Sequence, residues 1–504
     1  MFWKKKRIQK TDPDTPPKTM GDLLELLKND PDFTHFKHTG EHFSCWISFI
    51  QTLVDVEYVH RDVFPYLYRS EIHSMADVQA TLPIEKMIRT DDLSIIQGKL
   101  LEGFIAIQSS ENKADALIIP SIKIQGRQIQ QSEIETSILG SQESFVESID
   151  TNINLIRKRI PIPQFSIEEI RVGKMSRTRV NICYIDGVTN KENLNTAKQR
   201  ISDLEIINLT DATMLALNIS DNNNSLFPQF IDTERPDRVA SALYEGKIGV
   251  LVDGSPNALI IPSTIVEFFS AFDDYFLVWP IATAYRLLRL FAVAISVVSS
   301  ALYVAILTYH YNLIPKDLMG TLIVSRSSVP YDPIIEVLLL EMMIELLREA
   351  GARLPTKVGQ TIGIVGGIVI GTASVQAGVT SNILLIIIAI SALAAFITPN
   401  YRMATTIRFI RFPFIIAAQL LGLLGISLCF MVFVVHLLKL TSLGRPYIEP
   451  IYPMRFTDMK DAYIRLPLNY QNERPLFLRS ADADRSNPKR AKEKVGKHKP
   501  DIDE

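Results

Sequence analysis

The chain has 504 residues, a formal net charge of −2, 47% hydrophobic and 21% charged residues, and three cysteines. Near-neutrality argues against a nucleic-acid partner. Cys45, Cys183 and Cys429 are scattered with no CxxC pair, so neither a disulfide framework nor a zinc site is expected.

The amino-terminal stretch MFWKKKRIQKTDPDTPPK is basic but has no apolar core of the kind a secretory signal needs, so the region after it is expected to stay in the cytoplasm. Residues 1–34 read as a disordered or short helical segment, with Gly21 to Lys28 amphipathic through Leu23, Leu24, Leu26 and Leu27. Two α/β subdomains are expected next, at 35–150 and 151–280, because a block recurs. Glu102-Gly103-Phe104-Ile105-Ala106-Ile107 and Ala116-Leu117-Ile118-Ile119-Pro120-Ser121 return as Glu245-Gly246-Lys247-Ile248-Gly249-Val250 and Ala258-Leu259-Ile260-Ile261-Pro262-Ser263. Each copy reads as a hairpin: an apolar strand opened by Gly, a polar turn, and a second apolar strand stopped by Pro. Asn193 to Ile201 reads as a helix, Asn181 to Asp186 as a buried strand, Ala212 to Ile219 as an apolar element and Asp221 to Asn224 as a surface loop.

Near Leu287 the composition changes to long apolar runs that match a bilayer in length. Spans are expected near 287–311, 361–379, 383–398 and 412–438, within a helical membrane domain at 281–440 followed by a polar tail at 441–504. Arg286 and Arg289 ahead of the first span support a cytoplasmic soluble region. Downstream the basic residues compete: Arg348, Arg353 and Lys357 against Arg402, Arg408, Arg411 and the tail around Lys489 to Lys499. Four and five crossings both remain open. The segment 334–349 is an amphipathic helix that lies in the interface, re-enters or lines a wet cavity; Glu341, Glu345 and Arg348 share one of its faces. The terminal basic runs read as solubilising tails or as contacts for anionic membrane lipid.

The sequence contains no GxxxxGK[ST], GxGxxG, HExxH or GxSxG pattern, so no enzyme, no cofactor and no catalytic or metal-binding residue is expected. The clearest physical signal is in the second span. Gly359, Gly363, Gly367 and Gly371 recur every fourth residue, a stripe that lets helices approach closely in lipid. At about 100° per residue, Val365, Val369, Thr372 and Gln376 fall opposite it. That file lines a narrow pore with a hydrophobic constriction, or it meets lipid or another helix; an amide facing lipid is costly, which favours the pore at Gln376.

Three blocks of residues carry a family resemblance. One runs Glu234-Arg235-Pro236-Asp237, Leu243-Tyr244-Glu245-Gly246, Val252-Asp253-Gly254-Ser255-Pro256, Ile260-Ile261-Pro262 and Asp273-Asp274-Tyr275. A second comprises Gly140, Glu143, Phe145, Glu147, Thr151-Asn152, Leu155-Ile156-Arg157 and Arg159; a third runs Glu345-Leu346-Leu347-Arg348-Glu349-Ala350-Gly351, Arg353-Leu354-Pro355, Gly363 through Gly371, Ala377-Gly378 and Ser381-Asn382. Together, from about Phe43 to Pro467, the chain resembles the A subunits of GerA-type spore germinant receptors. Ser141 stands where that family usually has Pro, and Asn257-Ala258 where a bulkier apolar residue is common.

The resemblance implies a protein of the spore inner membrane that acts with a transporter-like B subunit and a lipoprotein C subunit. It implies a homo-oligomer, a pentamer, forming a nutrient-gated cation channel whose pore segment is the glycine-striped helix. Glu336, Glu341 and Glu345 would then form a cation-attracting vestibule, or pair with Arg348 and Arg353 and fix helix position. A non-conducting scaffold of the receptor complex is the competing function. A secondary transporter is weaker still, because paired, interrupted spans are absent.

Overall fold

The computed structural model describes residues 19–28, 30–40, 43–67, 72–84, 86–111, 113–121, 140–354, 356–455, 458–467 and 471–485, the side chains of 356–365 excepted. The expected amino-terminal segment up to Lys18 and the basic run from Lys489 lie outside the described residues. The chain forms two compact units, one within Met1–Asn223, Phe230–Ser263 and Leu468–Glu504, the other within Asn224–Gln229 and Thr264–Pro467.

The first unit is built on two antiparallel sheets. Strands β1 (Phe33–Thr39), β2 (Ser44–Ile50), β3 (Ile88–Thr90), β4 (Phe104–Gln108) and β5 (Ala116–Pro120) pair in the order β1-β2-β4-β5-β3. Strands β6 (Phe165–Val172), β7 (Thr178–Ile185), β8 (Ile231–Thr233), β9 (Ile248–Val252) and β10 (Ala258–Ile261) pair as β6-β7-β9-β10-β8, which is the same order shifted by five. The repeated sequence block occupies the same hairpin in each: Ile105 faces Ile119 across β4 and β5, and Val250 faces Leu259 across β9 and β10. Gly103 and Gly246, which open those hairpins, share a left-handed φ of 93° and 96°.

Successive residues of a strand point to opposite faces, and in the first sheet both faces are covered. Ile105, Ile107, Leu117 and Ile119 join Ile47 and Val78 on one side. Ala106, Ala116 and Ile118 meet Leu23, Leu27, Ile96 and Leu100 on the other, supplied by the helices Met20–Lys28 and Leu93–Leu101. Arg157, on the helix Ile149–Arg159, ties the two sheets together. Its guanidinium pairs with Asp30 and, at 2.9 Å, with Asp32, while neighbouring Asn154 donates to the Thr52 carbonyl at 2.6 Å.

The region expected as a polar tail keeps folding. Phe477 and Leu478 are buried, Ala481 N–H donates to the Val188 carbonyl at 2.9 Å, and the Asn190 amide donates to the Arg479 carbonyl at 2.7 Å. The apolar triplet Leu476-Phe477-Leu478 is too short to register as an element, yet it secures this strap to the second sheet's helices.

The second unit is helical: α1 (Trp279–Thr308), α2 (Lys316–Arg326), α3 (Pro333–Ala352), α4 (Thr356–Gln376), α5 (Asn382–Phe396), α6 (Tyr401–Leu421) and α7 (Leu423–Lys439). Helices α1 and α6 are long and apolar enough to cross a membrane, and α5 and α7 are shorter apolar helices. The run 412–438, expected as one tilted span, is two helices broken at Gly422. Its φ of 62° and ψ of −137° suit glycine, and a Cβ there would stand 2.9 Å from His310 Nε2. Beyond the break the chain reverses, packing Gly425 so tightly on α6 that a Cβ would overlap the Ala417 carbonyl.

The candidate pore helix and the buried charge network

Helix α4 carries the expected site. Gly366 lies against Leu347 of α3, with a Cβ position only 2.7 Å from Leu347 Cδ1, and Gly371 lies against Leu385 just inside α5 at 3.7 Å. Of the predicted packing stripe, Gly371 therefore makes a contact and Gly367 has nothing within 4 Å. The surroundings of Gly359, Gly363 and Val365 fall outside the described residues. Val369 is 56% exposed, and Thr372 and Gln376 are exposed too, so these three members of the file opposite the glycines are uncovered within one chain. The Thr372 hydroxyl donates to its own helix at the Ile368 carbonyl, 2.7 Å away, which satisfies it without a partner helix.

Two carboxylates of α3, Glu336 and Glu341, point inward. Glu341 is 1% exposed and pairs with Arg411 of α6, itself 2% exposed; Ser300 of α1 donates to Glu341 at 2.7 Å, and Arg411 donates to Ser296 Oγ at 2.9 Å. Glu336 is fully buried in the first turn of α3. It accepts from the Ser381 N–H at 2.6 Å, from the Thr380 hydroxyl at 3.3 Å and from the Tyr303 hydroxyl at 3.4 Å, and Arg326 lies 3.4 Å away. Glu345 pairs with Arg348, as the i, i+3 spacing allows, and stands 3.9 Å from Arg408. Arg353 pairs with Glu349 at 2.6 Å and not with the more inward carboxylates. Arg411 is the residue that sequence reasoning missed. It reads as a flanking charge ahead of an apolar run, and its only sequence signal is that α3 offers a carboxylate face needing cations.

A second set of side chains lies in the first unit, where a cleft of about 410 Å³ opens between the sheets. Asp32, Thr52, Asp150, Glu169, Arg179 and Asn181 line it. Arg179 is held by Asp150 at 2.9 Å and by Glu169 at 2.9 Å, and burial pushes the Asp32 carboxyl up against the opposing pull of Arg157 and Thr52. Several residues of the family blocks hold local structure. Arg235 forms an ion pair with Asp237 at 2.8 Å, Pro236 starts a helix, Arg159 pairs with Glu143 at 2.5 Å, and Asn152 accepts from Val146 N–H at 2.8 Å.

An α/β unit of two like sheets and a helical unit with two helices long and apolar enough to cross a membrane fit the class of membrane proteins that carry a large α/β part. The model of the Bacillus/Clostridium GerA spore germination protein matches residues 21–477. The spore germination protein GerQA of Bacillus cereus is 49% identical over 97% of this chain and 97% of its own, and GerIA of the same organism is 43% identical over 96% and 72%. The spore germination protein KA of Bacillus subtilis (strain 168) is 35% identical over 88% and 82%. Among solved structures, the N-terminal domain of the A subunit of the Bacillus megaterium spore germinant receptor GerK3 is 21% identical, with a TM-score of 0.34, over 47% of this chain and 91% of that one. The chain belongs to the GerA family of spore germination proteins, and its place there is that of a germinant receptor A subunit acting in germination. Its apolar helices fit a protein of a spore membrane.

Proposed function

We propose that this A subunit assembles with copies of itself, as a pentamer, into a nutrient-gated cation channel of the spore inner membrane, with α4 from each copy lining the pore. The observation that carries the reading is that α4 touches its neighbours at Gly366 and Gly371 and leaves Val369, Thr372 and Gln376 uncovered, together with Gly367 and Ile368. In a closed ring those uncovered faces would meet around one axis. Val365 and Val369 would form the constriction that gates by dewetting, and Thr372 and Gln376 would offer hydroxyl and amide groups to passing ions. A transporter-like B subunit and a lipoprotein C subunit complete the receptor, with the soluble unit on the cytoplasmic face.

Glu336, Glu341 and Glu345 hold helices in place in this reading and do not form a vestibule, because each already has a partner inside the chain. The test is disulfide cross-linking of Val369→Cys and Thr372→Cys chains in membranes. Covalent dimers between copies are expected. Cysteines that react only with lipid-soluble probes and never with one another would put the file in acyl chains and leave the non-conducting scaffold as the better account.

A further inference from the structure

We infer that the helical unit crosses the bilayer six times, through α1, α3, α4, α5, α6 and α7, so that the chain enters and leaves it at one end. Contacts fix the direction of each helix relative to α1. Tyr309, just past the end of α1, donates to the Gln419 and Leu420 carbonyls at 2.9 and 3.2 Å, so α6 finishes where α1 does. Helix α7 returns: His436 near its end meets Ser225 at 2.9 Å, and Thr406 near the start of α6 donates to the adjacent Leu226 carbonyl at 2.6 Å.

Helix α3 also descends. Glu336 in its first turn meets Tyr303 near the end of α1, and Glu341 meets Ser300 one turn earlier on α1. Helix α5 begins at Ser381 beside that same Glu336 and runs down to Ser391, which donates to the Ser296 carbonyl at 3.1 Å. Helix α4 must therefore rise between the end of α3 and the start of α5. The order is up, down, up, down, up, down.

The two ends of the unit are knitted together. Ile265 N–H donates to the Tyr447 carbonyl at 2.8 Å and Ser442 to the Gln229 carbonyl at 2.7 Å. Arg286 at the start of α1 pairs with Asp461 at 3.1 Å, and Arg465 donates to the Tyr275 carbonyl at 2.9 Å.

Charge along the sequence supplies an independent argument. With six crossings, the end where α1 begins carries Arg286, Arg289, Arg353, Lys357, Arg402, Lys439 and Arg445. The opposite end carries Lys316 and Arg326, with no basic residue in 377–381 or at the α6–α7 turn. The competition that left four and five crossings open disappears, and the positive-inside rule puts the α1 entry in the cytoplasm. Length is compatible: α3 spans about 30 Å, whereas α5 reaches only about 22 Å against a hydrocarbon core of about 30 Å. Helix α5 tolerates this because Thr380, Ser381, Thr398 and Asn400 at its ends are buried in protein and not in lipid. The buried carboxylates of α3 are tolerated for the same reason, each being turned toward a partner inside the bundle.

The inference rests on these helices crossing a bilayer and not on conduction. Cysteines added one at a time to the full chain, in a Cys429→Ser background that keeps only the buried Cys45 and Cys183 and is expressed in a bacterial inner membrane, are labelled in spheroplasts with a membrane-impermeant maleimide before and after permeabilisation. Asp317→Cys and Ala377→Cys are expected to label from outside. Ala352→Cys, Tyr401→Cys and Ala483→Cys are expected to label only once the membrane is opened, and a phosphatase that is active only outside the cytoplasm, fused after Arg485, is expected to stay inactive. External labelling at Tyr401→Cys with protection at Ala377→Cys would restore four crossings, and external labelling at Ala483→Cys or an active fusion would restore an odd number; either overturns the inference. A non-conducting chain with the expected pattern would sink the channel and leave the topology intact.

Discussion

Replacing Glu341 by Ala leaves the Arg411 guanidinium buried at 2% exposure, with Ser296 Oγ at 2.9 Å as its remaining hydrogen-bond partner among the described residues. Removing one member of a buried ion pair costs about 3–5 kcal/mol, most of it the penalty on the charge left behind. At about 1.4 kcal/mol per factor of ten, that is roughly a 150- to 4,000-fold change in the folded-to-unfolded ratio. For a unit of this size it corresponds to a fall in midpoint of about 6–20 °C. Arg411→Met alone strands the carboxylate and should cost a similar amount. The double variant Glu341→Leu/Arg411→Met removes both charges and should recover most of the loss, because an apolar pair of similar volume often equals or betters a buried salt bridge. Thermal unfolding of the detergent-solubilised chain, followed by circular dichroism, reads all four corners of this cycle. A single variant with an unchanged midpoint, or a double variant that loses the sum of the two singles, would refute the reasoning and reopen a water-facing role for Glu341.

Three further outcomes follow from other parts of the chain. Gly422→Ala should cost about 1–3 kcal/mol by forcing a side chain into a φ of 62° beside His310, read as a lowered midpoint, whereas Gly320→Ala, with nothing within 4 Å of its Cβ position, should not. Burial raises the Asp211 carboxyl, but hydrogen bonds from Ser255 and Thr213 outweigh it and hold it below its ordinary 3.8, so its contribution to stability is present above pH 3.8 and lost as pH falls through the lower folded value. Asp211→Asn should flatten that acid limb of a pH–stability curve; an unchanged limb would contradict the assignment. Burial pushes the thiols of Cys45 up to about 11 and Cys183 up to about 12, so both should resist iodoacetamide at pH 7.5 in the native chain and react in denaturant.

How much of this was legible depended on whether a feature repeats or pairs locally. The two hairpins were readable because a six-residue block recurs with its glycine and proline punctuation, and the structure builds the same strand order around each copy. Strand β1 was hidden, since Phe33–Thr39 mixes two His and a Lys with its aromatics and alternates weakly. Hydropathy found the apolar stretches but not their direction. Residues on both sides of Gly422 are equally apolar, so a reversal there leaves no trace in a sliding window, and only the backbone conformation exposes it. The start of α6 was lost for the opposite reason: Arg402, Arg408 and Arg411 read as a charged flank, although Arg408 and Arg411 are buried. Their carboxylate partners lie about 60–70 residues away on α3, a separation at which no local pattern signals pairing. The glycine stripe was visible as a period of four. Which of its members meet neighbours depends on where α3 and α5 pass, which is why, among the described glycines of α4, the adjacent Gly366 makes the closest approach.

The central claim is that α4 lines a water path, and ion flux through the purified, reconstituted chain tests it most directly. Val369→Ala should widen the constriction and give a nutrient-independent cation leak above that of the unaltered chain, in particles several subunits in mass. Equal flux from the two chains, at the level of empty vesicles, would contradict it.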